Sequence, residues 1–218
     1  MNRINITRFL IAVLIMGFWF LIVLYPNPKN LALSIQRLKN PPVNPFEVTD
    51  LALELYDHTP GEIKDFVYSR LPYSYDWTVY NMPWYFPTLE EVLQQEAGDC
   101  KARYVLFASI LEQKEIPYNK MISLTHIWVA YEGKEDNTME NLDEALFIVD
   151  DQGKLKISYP RADLQRSLAT FVDGFWRAMP SKKKSLLFAG FPLMVGLMNL
   201  PKLSLKKLLP NKKKNHLY

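Results

Sequence analysis

Cys100, His126 and Asp150 are the residues of this chain whose types and order suit nucleophilic chemistry, at spacings of 26 and 24 positions. A cysteine in the first turn of a helix has the free N–H groups of that turn directed at its sulfur, and the helix dipole favours the thiolate there. A histidine on a neighbouring strand can hold the sulfur's proton and later protonate a leaving amine. A carboxylate must then fix the tautomer of the imidazole. Together the three residues predict nucleophilic catalysis by a cysteine.

Two carboxylates compete for the third role. Asp150 stands at the mouth of a predicted hairpin and Asp151 follows it. Successive residues of a strand point to opposite faces, so the two are alternatives and not partners. Each candidate also has a structural interpretation: a lone cysteine as a small buried hydrophobic residue, a strand histidine as a satisfied imidazole, an aspartate as part of a turn. The catalytic hypothesis therefore depends on the combination.

The supply of metal-binding side chains is small. The chain has one cysteine and three histidines, His58, His126 and His216. One cysteine excludes an internal disulfide framework, and the scattered histidines give no metal-ligand spacing. We therefore expect neither a metal nor an organic cofactor.

Helix-start signals recur before the cysteine. Asn44, Thr59 and Thr88 each precede a Glu by three residues, the pattern of an N-cap whose oxygen binds free N–H groups. Asp99 can cap a further helix that begins at Cys100 and is almost entirely apolar from Tyr104 to Leu111. Apolarity on most sides predicts a buried central helix.

The strand signals come later in the chain. Residues 121–131 predict one strand, with His126, Trp128 and Ala130 on one face and Ile127, Val129 and Tyr131 on the other. Residues 145–149 and 154–159 predict a β-hairpin, and residues 164–176 an amphipathic helix. Helices first and strands afterwards indicate an α+β fold.

The net charge of +3 conceals a division of the chain into three parts. All 23 acidic residues lie between Glu47 and Asp173, whereas the first 45 residues and the segment from Ser181 carry basic residues without an acid. The sequence pI near 8.8 therefore gives no indication of nucleic-acid binding by the acidic middle, and we expect none.

Both basic ends contain uncharged apolar runs. The run 9–25 is short but sufficient for a bilayer core about 30 Å thick, and it predicts a retained transmembrane helix, with a cleaved signal peptide as the alternative. The run 185–201 either spans as a kinked helix or lies in the interface, and the lysines of 202–214 favour anionic lipid. We expect both ends to contact membrane lipid, in a single-pass or two-pass arrangement. If both runs span, the tail lysines place the middle domain outside the cytoplasm.

These signals divide the chain into five predicted segments. They are a short basic N-terminus (1–8), a transmembrane helix (9–25), a linker (26–45), a folded domain (46–180) and a hydrophobic, polybasic membrane-associated tail (181–218).

Four short motifs in the middle of the chain form a familiar series. They are Tyr73–Asp76 (YSYD), Thr88–Glu91 (TLEE), Gly98–Lys101 (GDCK) and His126–Val129 (HIWV). In this order the series resembles the transglutaminase-like superfamily in its microbial form, over about 90 of the 218 residues. The resemblance implies a papain-like core, in which the nucleophile helix packs on an antiparallel sheet. It also implies a Cys100–His126–Asp150 triad that acts on a peptide or protein substrate by acyl transfer through a thioester.

The sequence departs from the family pattern at two places. The acidic residue often found two positions after the cysteine is Ala102 here, and the Asp-Pro-Thr around the third triad member is replaced by Asp150-Asp151-Gln152. The segment between His126 and Asp150, which contains Glu135, Asp136 and Glu140, is longer than usual for the family.

Several alternatives stay open at the level of sequence. Hydrolysis by a peptidase or amidase and transamidation differ only in the acceptor. Oxyanion donors could come from Trp77, Trp84, Gln95 or the backbone N–H of Cys100. A second hypothesis is a catalytically inactive relative of the fold that binds a peptide or scaffolds a membrane complex.

Overall fold

The computed structural model describes residues 3–150, 152–158 and 164–199. Three predictions fall outside these residues: the role of Asp151, the strand end at Tyr159 and the polybasic tail 202–214. The described chain forms two compact units, one of residues 24–181 and one that combines residues up to 23 with those from 182 onward.

The smaller unit pairs two helices, α1 (Arg3–Leu24) up to Val23 and α9 (Ser181–Asn199) from Lys182. The Trp19 indole N–H donates to the Leu186 carbonyl at 3.0 Å, and Lys183 Nζ donates to the Val23 carbonyl at 2.6 Å. Gly190 leaves room for the indole, because a Cβ at this position would lie 2.7 Å from Trp19 Cδ1. Side-chain contacts therefore hold the two apolar helices together.

No helix among the described residues is by itself both long and apolar enough to cross a bilayer. The segments Phe9–Leu24 and Lys29–Lys39 meet the requirement of length and composition only as a bent pair. The transmembrane helix over 9–25 thus stays a prediction.

The larger unit is mixed α and β, as the order of the sequence signals predicts. Its helices are α2 (Lys29–Lys39), α3 (Thr49–Glu54), α4 (Pro60–Arg70), α5 (Asp76–Val79), α6 (Leu89–Gln95), α7 (Cys100–Gln113) and α8 (Leu164–Phe171), with 3-10 turns at Pro45–Val48 and Leu142–Glu144 and a π-helical segment at Val172–Arg177. Thr59 and Thr88 form complete capping boxes with Glu62 and Glu91, which confirms both predicted helix starts.

Helix α7 forms the centre of this unit. Val105, Leu106, Ala108, Ile110 and Leu111 are fully buried along it. Helices α3, α4 and α6 and the strand β2 (Ile127–Ala130) pack around it. This arrangement confirms the prediction of a central helix buried on most sides. Each large aliphatic side chain buried in this way contributes about 1.5–3 kcal/mol, so α7 is the main source of apolar burial in the unit.

The four strands form one antiparallel sheet in the order β2–β1–β3–β4. Their bounds are β1 (Asn119–Ile122), β2 (Ile127–Ala130), β3 (Phe147–Val149) and β4 (Leu155–Ile157). The alternation predicted for β2 is confirmed, since Ile127 and Val129 join the core around α7 while Trp128 packs with Met121 and Ala145 on the other face.

The single strand predicted over 121–131 is instead a hairpin. The Ser123 hydroxyl accepts the backbone N–H of His126 at 3.1 Å, and the His126 carbonyl accepts the N–H of Ser123 at 2.8 Å. These local hydrogen bonds compete with continued strand pairing. The turn that results places His126 directly before β2.

The predicted linker 26–45 also differs, because it contains helix α2. Arg37 on this helix donates to the Phe86 carbonyl at 2.8 Å and forms an ion pair with Glu91 at 3.3 Å. Ser34 is buried and its hydroxyl accepts the N–H of Phe86 at 3.1 Å. Arg37, a basic residue of the N-terminal segment, therefore forms part of the packing of the folded unit.

Candidate functional site

Cys100 is the first residue of α7, as the sequence predicts. The Asp99 carboxylate caps the helix by accepting the N–H of Lys101 at 2.9 Å. The preceding chain is fixed by backbone pairing, since Gly98 donates to the Pro72 carbonyl at 3.3 Å and accepts from Ser74 at 3.0 Å. The sulfur thus lies at a helix N-terminus whose position both local and distant hydrogen bonds determine.

Lys101 anchors this helix start in the interior. Its ammonium contacts the Asp99 carboxylate and lies 2.9 Å from Asp76 Oδ2, which also accepts the N–H of Tyr85 at 2.9 Å. Burial by itself would lower the pKa of Lys101, but the two carboxylates outweigh it and raise that pKa well above its usual range. Burial raises the pKa of Asp76, although Lys101 opposes the shift. Lys101, which follows the nucleophile in the chain, is therefore fixed in position by ion pairs with Asp76 and Asp99.

Gly98 is the glycine that the start of α7 requires. A Cβ built at this position would lie 2.4 Å from the Cβ of Ala102. The close approach of Ala102 therefore requires the absence of a side chain at position 98.

We expect Gly98→Ala to destabilise the protein by about 1–3 kcal/mol, the usual cost of forcing extra volume into a packed site. Urea unfolding of both proteins measures the effect. The double variant Gly98→Ala with Ala102→Gly should recover most of the loss because it removes the clashing atom. Gly153→Ala, at a position with no atom within 4 Å but a positive φ of 76°, provides a comparison in which strain comes from the backbone. Absence of recovery in the double variant would contradict the steric explanation.

His126 lies beside Cys100, since both residues line the same cavity. Its imidazole is hydrogen-bonded to Glu140, where Nε2 lies 3.2 Å from Oε1. The ring stacks on Trp128 with centroids 5.7 Å apart and planes 20° from parallel. Burial disfavours the charged imidazole, but the neighbouring Cys100 and Glu140 outweigh burial and raise the pKa of His126 to about 9. The imidazole is therefore protonated at neutral pH, next to the sulfur.

Glu140 is a buried carboxylate surrounded by donors. Oε1 accepts the Tyr68 hydroxyl at 2.9 Å, while Lys64 and Lys134 Nζ each lie 3.3 Å from Oε2. Burial would raise the pKa of this carboxyl, but the hydrogen bond from His126 and the charge of Lys64 outweigh burial and lower it far below its usual range. Glu140 is thus a permanently ionised partner for the imidazolium.

Tyr68 completes the surroundings of Glu140. Burial and the charge of Glu140 raise the pKa of Tyr68, so its hydroxyl stays protonated and donates a hydrogen bond to Glu140. The guanidinium of Arg103 lies 4.4 Å from the Tyr68 ring centroid and donates to the Leu71 carbonyl at 2.9 and 3.1 Å. Arg103 on the nucleophile helix therefore helps to position the tyrosine that binds Glu140.

Asp150, the predicted third residue, is placed elsewhere. Its carboxylate accepts the backbone N–H groups of Gln152 and Lys154, at 3.1 and 2.7 Å, within the β3–β4 turn. Sheet register explains the separation. The start of β2, next to His126, pairs with Ile122, whereas the end of β3, next to Asp150, pairs with Lys120 on the far side of β1. Two strand spacings of about 4.8 Å each, as well as the length of β1, separate the two positions. The structure thus places Asp150 in the β3–β4 turn and brings Glu140 to His126 instead.

Sequence reasoning missed Glu140 because it lies in the long connection between β2 and β3, outside any strand. Its position is fixed by Asn137, whose side-chain oxygen accepts the N–H of Glu140 at 2.8 Å. The signal in the sequence is the length of this insertion, which contains six acidic residues and gives no indication of which one folds back.

A cavity of about 390 Å³ opens beside Cys100 and His126. Of the suggested oxyanion donors, Trp84 lines it, whereas the Trp77 indole N–H donates to the Phe175 carbonyl at 2.8 Å. Gln95 is exposed at the end of α6 and is not part of the lining. In the part of the chain that the structure describes, no group of three or more His, Cys, Asp or Glu side chains could hold a metal ion.

The site therefore joins Cys100, His126 and Glu140 through one imidazole at the edge of a cavity. No protein-family profile, curated protein or solved structure matches this chain at a significant level.

Proposed function

We propose that this protein is a cysteine enzyme of the transglutaminase-like kind that transfers acyl groups through a thioester at Cys100. One observation carries the proposal: the His126 imidazole lies beside Cys100 at the cavity and is hydrogen-bonded to the buried, ionised Glu140. A nucleophile, a base and a group that orients the base are the three parts that covalent acyl transfer requires. In this proposal Glu140 takes the role that the sequence suggested for Asp150.

The chemistry follows from these positions. The Cys100 thiolate attacks the carbonyl carbon of an acyl donor, and the new carbon–sulfur bond leaves a negative oxygen that the backbone N–H of Cys100, in the first turn of α7, can stabilise. The protonated His126 gives its proton to the leaving group as the bond to that group breaks. The neutral imidazole then removes a proton from water or an amine, which attacks the thioester and releases Cys100. Glu140 holds the imidazole throughout and stabilises its charged form.

The proposal also assigns the enzyme to a membrane. Its support is the uncharged apolar run 9–25 and the basic, apolar character of the segment from 181. The two helices of the smaller unit would then form a membrane-associated pair. Trp19 on α1 and Lys183 on α9 each hydrogen-bond to a backbone carbonyl of the other helix.

Alkylation by iodoacetamide tests the catalytic proposal without knowledge of the substrate. Cys100 is the single cysteine, so all incorporated label reports on it. An ordinary thiol titrates near 8.5, so it reacts about 100-fold more slowly at about pH 6.5 than when fully ionised. We expect the wild-type protein to be alkylated at least about tenfold faster than its His126→Ala variant at about pH 6.5, because the protonated imidazole beside the sulfur stabilises the attacking thiolate. The rate is measured by mass spectrometry of the intact protein.

His126→Ala removes this stabilisation, so its sulfur should react as slowly as an ordinary thiol does at that pH. His58→Ala is the matched control, since His58 is an exposed histidine remote from the cavity lining, and it should react as the wild type does. Equal alkylation rates in the wild-type protein and in His126→Ala would contradict the catalytic proposal and favour a non-catalytic binding module.

A further inference from the structure

The cavity beside Cys100 is mainly apolar. Its volume of about 390 Å³ falls within the range of about 300–1,000 Å³ that is usual for small-molecule sites. Helix α2 contributes Leu31, Ile35 and Leu38, while Phe171 and Phe175 belong to α8 and the π-helical segment. The Trp84 ring stacks on Phe175 with centroids 4.9 Å apart and planes 13° from parallel. Aliphatic and aromatic side chains thus lead to the nucleophile.

Several of these apolar side chains remain exposed to solvent. Ile35 is 54% exposed, Leu124 52% and Trp84 49%, although all three line the cavity. Scattered apolar residues are ordinary on a protein surface, whereas a contiguous patch around a cavity is typical of a binding site. An apolar ligand in this cavity would remove that surface from water.

The charged side chains that line the cavity are already paired within the described part of the chain. Lys101 binds both Asp76 and Asp99, which also accept backbone N–H groups, and His126 binds Glu140, which lies outside the lining. A charged substrate group would lose water on entering and gain no free counter-charge from these residues. The electrostatics therefore favour an uncharged occupant.

We propose that this cavity binds the aliphatic chain of the acyl donor, so that the substrate of Cys100 is an ester, thioester or amide of an apolar acyl group. The inference rests on the proposed function. The carbonyl carbon of the donor lies at the sulfur and its chain extends towards Ile35 and Leu38. The carbon–sulfur bond forms first, and the bond to the leaving group then breaks as that group takes the proton of His126.

A series of p-nitrophenyl esters tests the chain preference in the full-length protein. We expect kcat/KM to increase from acetate through butyrate to octanoate. Ile35→Gln should lower the octanoate-to-acetate ratio of kcat/KM by about tenfold, the size of effect that a small change in an apolar pocket produces. Leu33→Gln is the matched control on the same helix: Leu33 is 39% exposed but does not line the cavity, and its variant should keep the wild-type ratio.

Binding without catalysis separates this inference from the proposed function. Calorimetric titration of the Cys100→Ala protein with octanamide, an uncharged compound with the same acyl chain as the longest ester, should show binding that Ile35→Gln weakens and acetamide does not reproduce. Turnover that depends on Cys100 but shows neither chain preference nor octanamide binding would overturn the inference and leave the proposed function in place. Octanamide binding without any turnover that depends on Cys100 would support the apolar site and overturn the enzyme.

Discussion

Glu140→Ala is expected to lower the free energy of unfolding by about 3–5 kcal/mol, the usual cost of removing one partner of a buried ion pair. The variant leaves two ammonium groups and an imidazolium without their shared carboxylate. The side chains of Lys134 and Lys64 are only 5% and 20% exposed, so water cannot replace the lost partner fully. Urea unfolding at neutral pH measures the loss.

Two further variants sharpen this result. Glu140→Gln keeps an acceptor for the Tyr68 hydroxyl but removes the charge, so its loss should be intermediate. Asp173→Ala removes a carboxylate that pairs with Arg177 at 2.7 Å on the surface, where the side chains are 41% and 76% exposed, and should cost at most about 1 kcal/mol. Equal losses for Glu140→Ala and Asp173→Ala would show that Glu140 is not the buried centre of charge described here.

The second prediction is a loss of stability with increasing pH that arises from His126. Its pKa in the folded protein is about 9, above the value of about 6.5 for an unperturbed histidine. A raised pKa means that the folded state binds the proton more tightly than the unfolded state. The stabilisation is therefore complete below about pH 6.5 and is lost as the pH rises through about 9. At about 1.4 kcal/mol for each pH unit, the loss amounts to about 3 kcal/mol.

Two measurements check this pH dependence. The pH titration of the His126 ring proton by NMR gives its pKa directly, and urea unfolding at about pH 6 and pH 9.5 gives the change in stability. In Glu140→Gln the pKa of His126 should fall, since one of the hydrogen bonds to the charged imidazole loses its ionised acceptor. His126→Gln should remove most of the pH dependence, whereas His58→Gln should retain it. A pKa of His126 at or below 6.5 would contradict the contacts with Cys100 and Glu140.

The sequence predicted those parts of the site that depend on neighbours in the chain. Asp99 caps the helix of Cys100 from the adjacent position, and Thr59 and Thr88 close capping boxes with residues three positions away. The faces of β2 follow from strand alternation alone, and Ile127 and Val129 lie on the expected side. These features require no knowledge of the remaining fold.

The third residue of the site could not be predicted in this way. The choice between Asp150 and Glu140 depends on which strand pairs with β1 on each side, and on a connection that folds back to Lys64 and Tyr68, more than 70 residues earlier in the chain. The same limit applies to α2, whose place in the folded unit depends on Arg37 reaching Phe86 and Glu91. Long-range pairing determines these positions, and a single sequence contains no local signal for it.

The half-buried position of Cys100 beside an open cavity has a consequence for the redox chemistry of the protein. A thiolate within reach of peroxide is oxidised to a sulfenic acid, which a second cysteine commonly captures as a disulfide. This chain contains no second cysteine. Recovery of an oxidised Cys100 therefore depends on a thiol supplied from outside, and without one the sulfur proceeds to the sulfinic acid, which few systems reverse.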